Sequence, residues 1–306
     1  MPPGLGKNAA AGAPKFFKFP SEVRPTNALA KLGNATWAMP LIGRNKSKMS
    51  LLAILYHLVP ESPILVAYNR EDSFERNYPT PSIHSGKPRI LASVDPKTGG
   101  TFLGVNQNGM LVGIVDRAKR ETPSAPDSRS ELARQILKAP SARRAVDVAM
   151  DRLSAGQYLG ANFVIADHDS GWCVHGGDQL ECSELEDGLS IVGSCDVNDF
   201  RDERVAMANR LLTLQNLDSP IKFLAVASKV FARGPGIAGR PSMVVRGGEV
   251  GTVNSTLIAL GKKPRDAIYQ YAAGAPDQAK YEDYSPMLRD ILSRGIRESR
   301  SSKATV

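Results

Sequence analysis

Ser50 follows Met49 at the head of an apolar run, and the tetrad Asn69-Arg70-Glu71-Asp72 closes a second one. Between them lie the apolar residues 51–59, the turn Pro60-Glu61-Ser62-Pro63 and the apolar residues 64–68. If the two runs pair as antiparallel strands about that turn, Val59 lies near Ile64 and the register carries Ser50 to the neighbourhood of Asp72. A hydroxyl nucleophile would then sit beside a guanidinium and two carboxylates. The chemistry depends on where the mature chain begins. Removal of everything up to Met49 would give Ser50 a free α-amine able to act as general base toward its own hydroxyl. With the extension attached, that nitrogen is an amide and the route is closed. The same tetrad also fits a structural role, with Arg70 paired to an acid and Asn69 bonded to backbone.

The elements that must position these residues read as pairs. A short strand at 89–94 leads to Gly99-Gly100, then to runs at 101–105 and 110–115 about Asn106-Gln107-Asn108-Gly109, a strong hairpin signal. That hairpin puts Gly99-Gly100 and Asp116-Arg117 at one open end. Helices are expected over 128–137, capped from Asp127-Ser128, and over 142–153, where Val146, Ala149, Met150 and Leu153 share a face. A strand pair at 162–166 and 172–175 follows, then a short strand at 189–192 ending in Gly193-Ser194-Cys195, helices at 201–214 and 221–231, and a β-pair of 241–245 with 251–258. Antiparallel pairs of strands and paired helices argue an α+β layering, two sheets face to face with helices outside, over a doubly wound parallel fold.

Composition bounds the function. Residues 1–48 carry eight Lys and Arg against Glu22 alone, +7, without periodic apolar patterning, and read as a disordered basic extension. Residues 289–306 form a basic tail of +3, so of the total +8 the body over 49–288 is left with −2. A nucleic-acid-binding body is therefore not indicated. No stretch approaches the roughly 20 apolar residues of a membrane span. Cys173, Cys182 and Cys195 are odd in number without CxxC spacing, which disfavours a disulfide framework and a structural zinc site and fits free thiols in the cytoplasm. The four histidines, His57, His84, His168 and His175, show no ligand spacing, and the nucleotide, zinc-protease, α/β-hydrolase and calcium motifs are absent. No metal or cofactor is expected.

The body resembles the NRDE family, also called the transport and Golgi organisation family, whose fold is similar to that of the N-terminal nucleophile hydrolases. Met49-Ser50 with the following strand carries the resemblance, as do residues 63–72 running into the tetrad, and Gly99-Gly100-Thr101-Phe102-Leu103-Gly104-Val105-Asn106 with Gly109. Ser128-Arg129, residues 158–164 and residues 251–257 add weaker matches. The resemblance implies a four-layer αββα sandwich of two antiparallel sheets flanked by helices. It implies Ser50 as nucleophile with Arg70 and Asp72 orienting it, Asp116 and Cys195 among the catalytic positions, and Asn69, Gly100, Thr101 and Asn162 as substrate-binding residues. Polar groups of the second hairpin and of the 193–196 corner would help form an oxyanion hole. The sequence departs from the family pattern at several of these positions. Ser50 stands for Cys, the two acids of the tetrad are exchanged, and Asp116 and Cys195 stand where Asn is usual. An Asn amide can donate to an oxyanion, whereas a carboxylate only accepts.

Two functions from different classes follow. One is an amide hydrolase acting by acyl transfer on a small linear or cyclic non-peptide amide. The other is a non-catalytic relative that binds a lipid or haem-like hydrophobe in the same cleft. The basic ends add a weaker third expectation, association with RNA or anionic lipid through the tails.

Overall fold

The computed structural model describes residues 50–236 and 240–304. The expectation of a disordered extension over 1–48 lies outside the described residues. Strand β1 (Leu51–Tyr56) is buried along its whole length because both of its faces are covered. Leu52, Ile54 and Tyr56 enter one apolar cluster while Leu51, Ala53 and Leu55 enter another. The two-residue period of a strand thus divides one continuous apolar run between two cores. Each such side chain contributes about 1.5–3 kcal/mol by leaving water.

The chain then reverses. His57 takes a left-handed φ of 53°, its N–H donates to the Pro63 carbonyl at 2.8 Å, and β2 (Ile64–Ser73) returns antiparallel with Tyr56 opposite Ile64 and Leu51 opposite Asn69. This corrects the register expected from sequence. Residues 57–63 all belong to the turn, so Ile64 faces Tyr56 instead of Val59, and Ser50 arrives beside Arg70 and Glu71 instead of Asp72.

The remaining elements follow in chain order. They are β3 (Ser82–His84), β4 (Ile90–Val94), β5 (Thr101–Asn106), β6 (Leu111–Asp116), α1 (Arg129–Ile136), α2 (Ala142–Ala155), β7 (Ala161–Ala166), β8 (Gly171–Gly176), β9 (Leu180–Glu184), β10 (Gly188–Val192), α3 (Glu203–Thr213), α4 (Pro220–Phe231), β11 (Val250–Leu260), β12 (Ile268–Ala272), β13 (Glu282–Asp283) and α5 (Ser285–Ala304). One sheet has the order β10-β1-β2-β11-β12-β13 and the other β3-β4-β5-β6-β7-β8-β9. Neighbours in both sheets are antiparallel.

Helices α1 to α4 start at hydroxyl or carboxylate caps. The side chains of Ser128, Ser141, Asp202 and Ser219 accept from first-turn N–H groups, each contribution being about 0.5–2 kcal/mol. Val205, Phe223 and Phe231 of α3 and α4 pack on Leu51, Ala53 and Leu65. Leu132, Ile136 and Ala145 of α1 and α2 pack on Met110, Val112 and Phe163. Leu52, Val66, Tyr68, Leu103 and Val115 fill the space between the sheets. The result is the expected α+β, four-layer αββα sandwich.

Two details differ from the sequence reading. Residues 241–245 form no strand and meet the sheet through isolated bonds, such as Thr252 N–H to the Val245 carbonyl, beside the bridge Arg246–Gly251, because β11 pairs on one side with β2 and on the other with β12. The basic residues from 289 onward continue α5, whose Leu288, Ile291 and Leu292 are buried in the inter-sheet cluster.

Candidate active site

Ser50 stands immediately before β1, one strand in from the edge of its sheet, with β2 on one side and β10 on the other. It is 1 % exposed. Its Oγ accepts from the backbone N–H of Glu71 at 3.2 Å and from Arg70 Nη1 at 3.4 Å. Ser50 therefore lies where β2 can direct both a main-chain and a side-chain donor at one oxygen.

Arg70 is the centre of the cluster. Its Nη2 bonds Asp72 Oδ2 at 2.7 Å, its Nη1 lies 3.5 Å from Asp116 Oδ2, and its guanidinium carbon sits 3.3 Å from the centroid of the Phe102 ring. Burial works against the charge on Arg70, and the surrounding Tyr68, Asp116 and Asp72 outweigh it, holding the group protonated beyond its usual range. Burial likewise pushes Asp72 up. Arg70, the Tyr78 hydroxyl at 2.6 Å, the Ser73 N–H at 2.8 Å and Arg76 at 3.3 Å reverse that and hold Asp72 at about 2. Burial also raises Tyr68 to about 12, and its hydroxyl donates to the Ile114 carbonyl at 2.7 Å, tying β2 to the opposite sheet.

Asp116, at the end of β6, is shared between two arginines. Its Oδ1 meets Arg129 Nη2 at 2.7 Å while Oδ2 faces Arg70, and Arg129 Nη1 also donates to the Gly160 carbonyl. A cation in the first turn of a helix opposes the helix dipole, and Arg129 at the start of α1 is held there by Asp116 and the Gly160 carbonyl instead of standing as a solvated helix-start arginine. Sequence reading missed Tyr78. It is a lone polar residue in a proline-containing loop, and no periodicity marks it.

The structure thus brings Ser50, Arg70, Asp72 and Asp116 together, and it sets the other expected positions apart. Asn69 points from the other face of β2, where its Nδ2 donates to the carbonyls of Phe231 (2.9 Å) and Met243 (3.0 Å). A Cβ on Gly100 would lie 2.2 Å from the Ser130 carbonyl carbon, so this glycine lets α1 approach β5. Thr101 Oγ1 donates to the carbonyls of Ser93 and Leu103. Asn162 commits its Nδ2 to the carbonyls of Gly193 (2.9 Å) and Cys195 (2.7 Å), while Oδ1 faces Arg117 Nη1 (3.2 Å) and His175 Nδ1 (2.9 Å). It braces the 193–196 corner, which is joined to the end of β6 by Ala118 N–H donating to the Ser194 carbonyl. The Cys195 thiol lies 3.8 Å from Ser194 Oγ.

A cavity of about 20 Å³ adjoins Arg70, lined by Tyr68, Tyr78, Phe102, Asn254 and Tyr271. That is room for about one water molecule. Among the described residues no group of three or more His, Cys, Asp or Glu is placed to hold a metal ion, and no helix is long and apolar enough to cross a membrane.

Fold and seam together define an α+β sandwich with a hydroxyl, a guanidinium and two carboxylates gathered between its sheets. The Transport and Golgi organisation 2 family matches residues 49–220, from the residue before Ser50 to the start of α4, and the chain belongs to that family. The resemblance read from the tetrad and the second hairpin is borne out by this match. No curated protein sequence matches the chain. Among solved structures, the chain is similar to a Caenorhabditis elegans N-acylethanolamine-hydrolyzing acid amidase ortholog (13 % identity, 68 % of this chain and 92 % of that one, TM-score 0.46). It is also similar to a conjugated bile acid hydrolase from Clostridium perfringens (11 %, 78 % and 93 %, TM-score 0.41). A third similar structure is penicillin V acylase from Agrobacterium tumefaciens (12 %, 74 % and 75 %, TM-score 0.41).

Proposed function

We propose that the protein is an amide hydrolase of the N-terminal nucleophile type, in which Ser50, freed by cleavage after Met49, attacks a small non-peptide amide. The observation that carries this reading is the double donation to Ser50 Oγ from Glu71 N–H and Arg70 Nη1. Two donors aimed at one oxygen favour the negative charge that an attacking alkoxide carries. In the reaction the Ser50 α-amine takes the Oγ proton as Oγ bonds to the amide carbon. The tetrahedral intermediate collapses with cleavage of the C–N bond, and the same proton passes to the departing amine. Water then hydrolyses the ester on Ser50 and restores the hydroxyl. Asp72 and Asp116 keep Arg70 charged and fixed in place. The free thiols Cys173, Cys182 and Cys195 support a reducing compartment, the cytoplasm.

One observation favours a second reading, binding of a hydrophobic ligand without turnover. Asp116 offers only acceptor oxygens, both already directed at Arg70 and Arg129, where a neutral amide would donate to an oxyanion. A single experiment separates the two. A fusion cleaved to leave Ser50 as the first residue is incubated with 4-nitrophenyl acetate and an N-acyl anilide, and the products are read by intact-mass and peptide mass spectrometry. Hydrolase chemistry predicts an acyl group on Ser50 that is absent from Ser50→Ala. A folded, free Ser50 that acquires none would sink the hydrolase.

A further inference from the structure

A larger cavity lies at the other end of the sandwich. Strand β1 leads from Ser50 to Tyr56, roughly 20 Å at ~3.4 Å per residue, and at that far pole a cavity of about 600 Å³ opens between the strand ends and α5. Its wall is apolar, formed by Pro63, Ile64, Leu260, Leu292 and Ile296. Its floor includes the β5–β6 turn at Gln107, Asn108 and Gly109. Helix α5 is seated on that turn through Gly295, where a Cβ would lie 2.1 Å from the Gln107 carbonyl oxygen, so the helix backbone itself forms the side of the cleft.

The charge here is of one sign. Lys262 and Arg300 line the cavity, with His168 at its edge and no carboxylate. An adjoining groove of about 560 Å³ on the other side of the same helix adds Lys87, Lys138 and Arg297. Its one acid, Glu298, is already held by Arg89 Nη1 at 2.6 Å and Gln107 Nε2 at 2.8 Å. None of Lys87, Lys138, Lys262, Arg297 or Arg300 has an ion-pair partner among the described residues. Unpaired cations gathered along the two adjoining grooves that flank α5 focus field on an anion. A volume of this size suits an organic molecule with an apolar body, and several uncompensated cations favour a dianion over a monoanion.

We infer that this polar cleft, bounded by Lys262 and Arg300, is a second ligand site, separate from Ser50, that takes an organic phosphate monoester with an apolar or aromatic body. The phosphate meets the two cations and the apolar body lies on Ile64, Leu260 and Leu292. Such an ion pair is partly solvated, so binding weakens as salt is raised.

The probe is 1-naphthyl phosphate, titrated into the full-length protein by calorimetry. Expected is saturable one-to-one binding that weakens at least about tenfold in Lys262→Met/Arg300→Met and is recovered in Lys262→Arg/Arg300→Lys, a control for misfolding. 1-Naphthol and inorganic phosphate alone should each bind at least about tenfold more weakly, and Ser50→Ala should bind as the wild type does. Several results would overturn the assignment: no saturation, equal affinity in the double methionine variant, or inorganic phosphate binding as tightly as the ester. Loss of binding in Ser50→Ala would return the ligand to the first site. Binding only to vesicles containing phosphatidic acid would make the cleft a membrane contact and not a small-molecule pocket.

Discussion

Asp72 and Glu71 are neighbours in sequence and opposites in circumstance. Asp72 shares a face of β2 with Arg70, accepts from Arg70, Tyr78, Arg76 and the Ser73 N–H, and is held at about 2. Glu71 emerges on the face toward α3 with its side chain 0 % exposed. There burial drives it up to about 7, only partly offset by Arg204 and Thr252. Both of those partners meet Oε1, at 3.0 and 3.1 Å, and Oε2 has no hydrogen-bond partner among the described residues. The two-residue period of one strand has split the tetrad. Arg70 and Asp72 build the seam beside Ser50, whereas Asn69 and Glu71 fasten the sheet to the helix layer, and Asn69 and Arg204 share the Met243 carbonyl.

The comparison breaks most severely at Arg70. Arg70→Met leaves Asp72 and Asp116 facing a buried gap without their cation, and the expected loss is about 3–5 kcal/mol in urea unfolding. A loss below about 1 kcal/mol would show that the seam does not depend on the guanidinium. Asp72→Asn comes next, at about 2 kcal/mol near pH 7, from a carboxyl lowered from 3.8 to about 2. A depressed carboxylate adds stability above its unfolded value and loses it as pH falls through its folded value. The gap between wild type and variant should therefore close between about pH 4 and pH 2. A gap that stayed constant over that range would mean that Asp72 acts through packing and not through charge.

Much of this was legible in the sequence because burial on both faces leaves a strong mark. The apolar runs of β1 and β2, the Asn-Gly signal of the second hairpin and the serine cap of α1 each state a local rule that the fold obeys. The register of the first hairpin was less legible. Val59 is apolar and 1 % exposed although it lies in the turn, so hydrophobicity alone ran the strand three residues too far. Strand β9 gave no signal because four of its five residues are exposed at a sheet edge. For the site, types and spacing pointed to Ser50, Arg70 and Asp72, and the family resemblance added Asp116. What they could not supply was the direction of side chains such as Asn162, whose four hydrogen bonds are spent on a backbone corner, Arg117 and His175.

Glu71 offers the smallest effect and the sharpest test of the two faces. Its folded value of about 7 lies above the ordinary 4.5, so the folded protein binds a proton that the unfolded chain releases. The stability it contributes is fully present below about pH 4.5 and is lost as pH rises through about 7. Glu71→Gln is permanently neutral and nearly isosteric, and its amide oxygen can still accept from Arg204 and Thr252. Near pH 4.5 the variant should lie within about 1 kcal/mol of wild type, and wild type should lose stability relative to it as pH rises from about 4.5 to about 7, levelling off above that, measured by urea unfolding at each pH. The slope has the sign opposite to that of Asp72, one residue away. If wild type and variant instead ran parallel across that range, Glu71 would be ionised against Arg204 throughout. Strand β2 would then carry a fixed charge on each face, and the helix-facing half of the tetrad would be an ion pair as firmly held as the one beside Ser50.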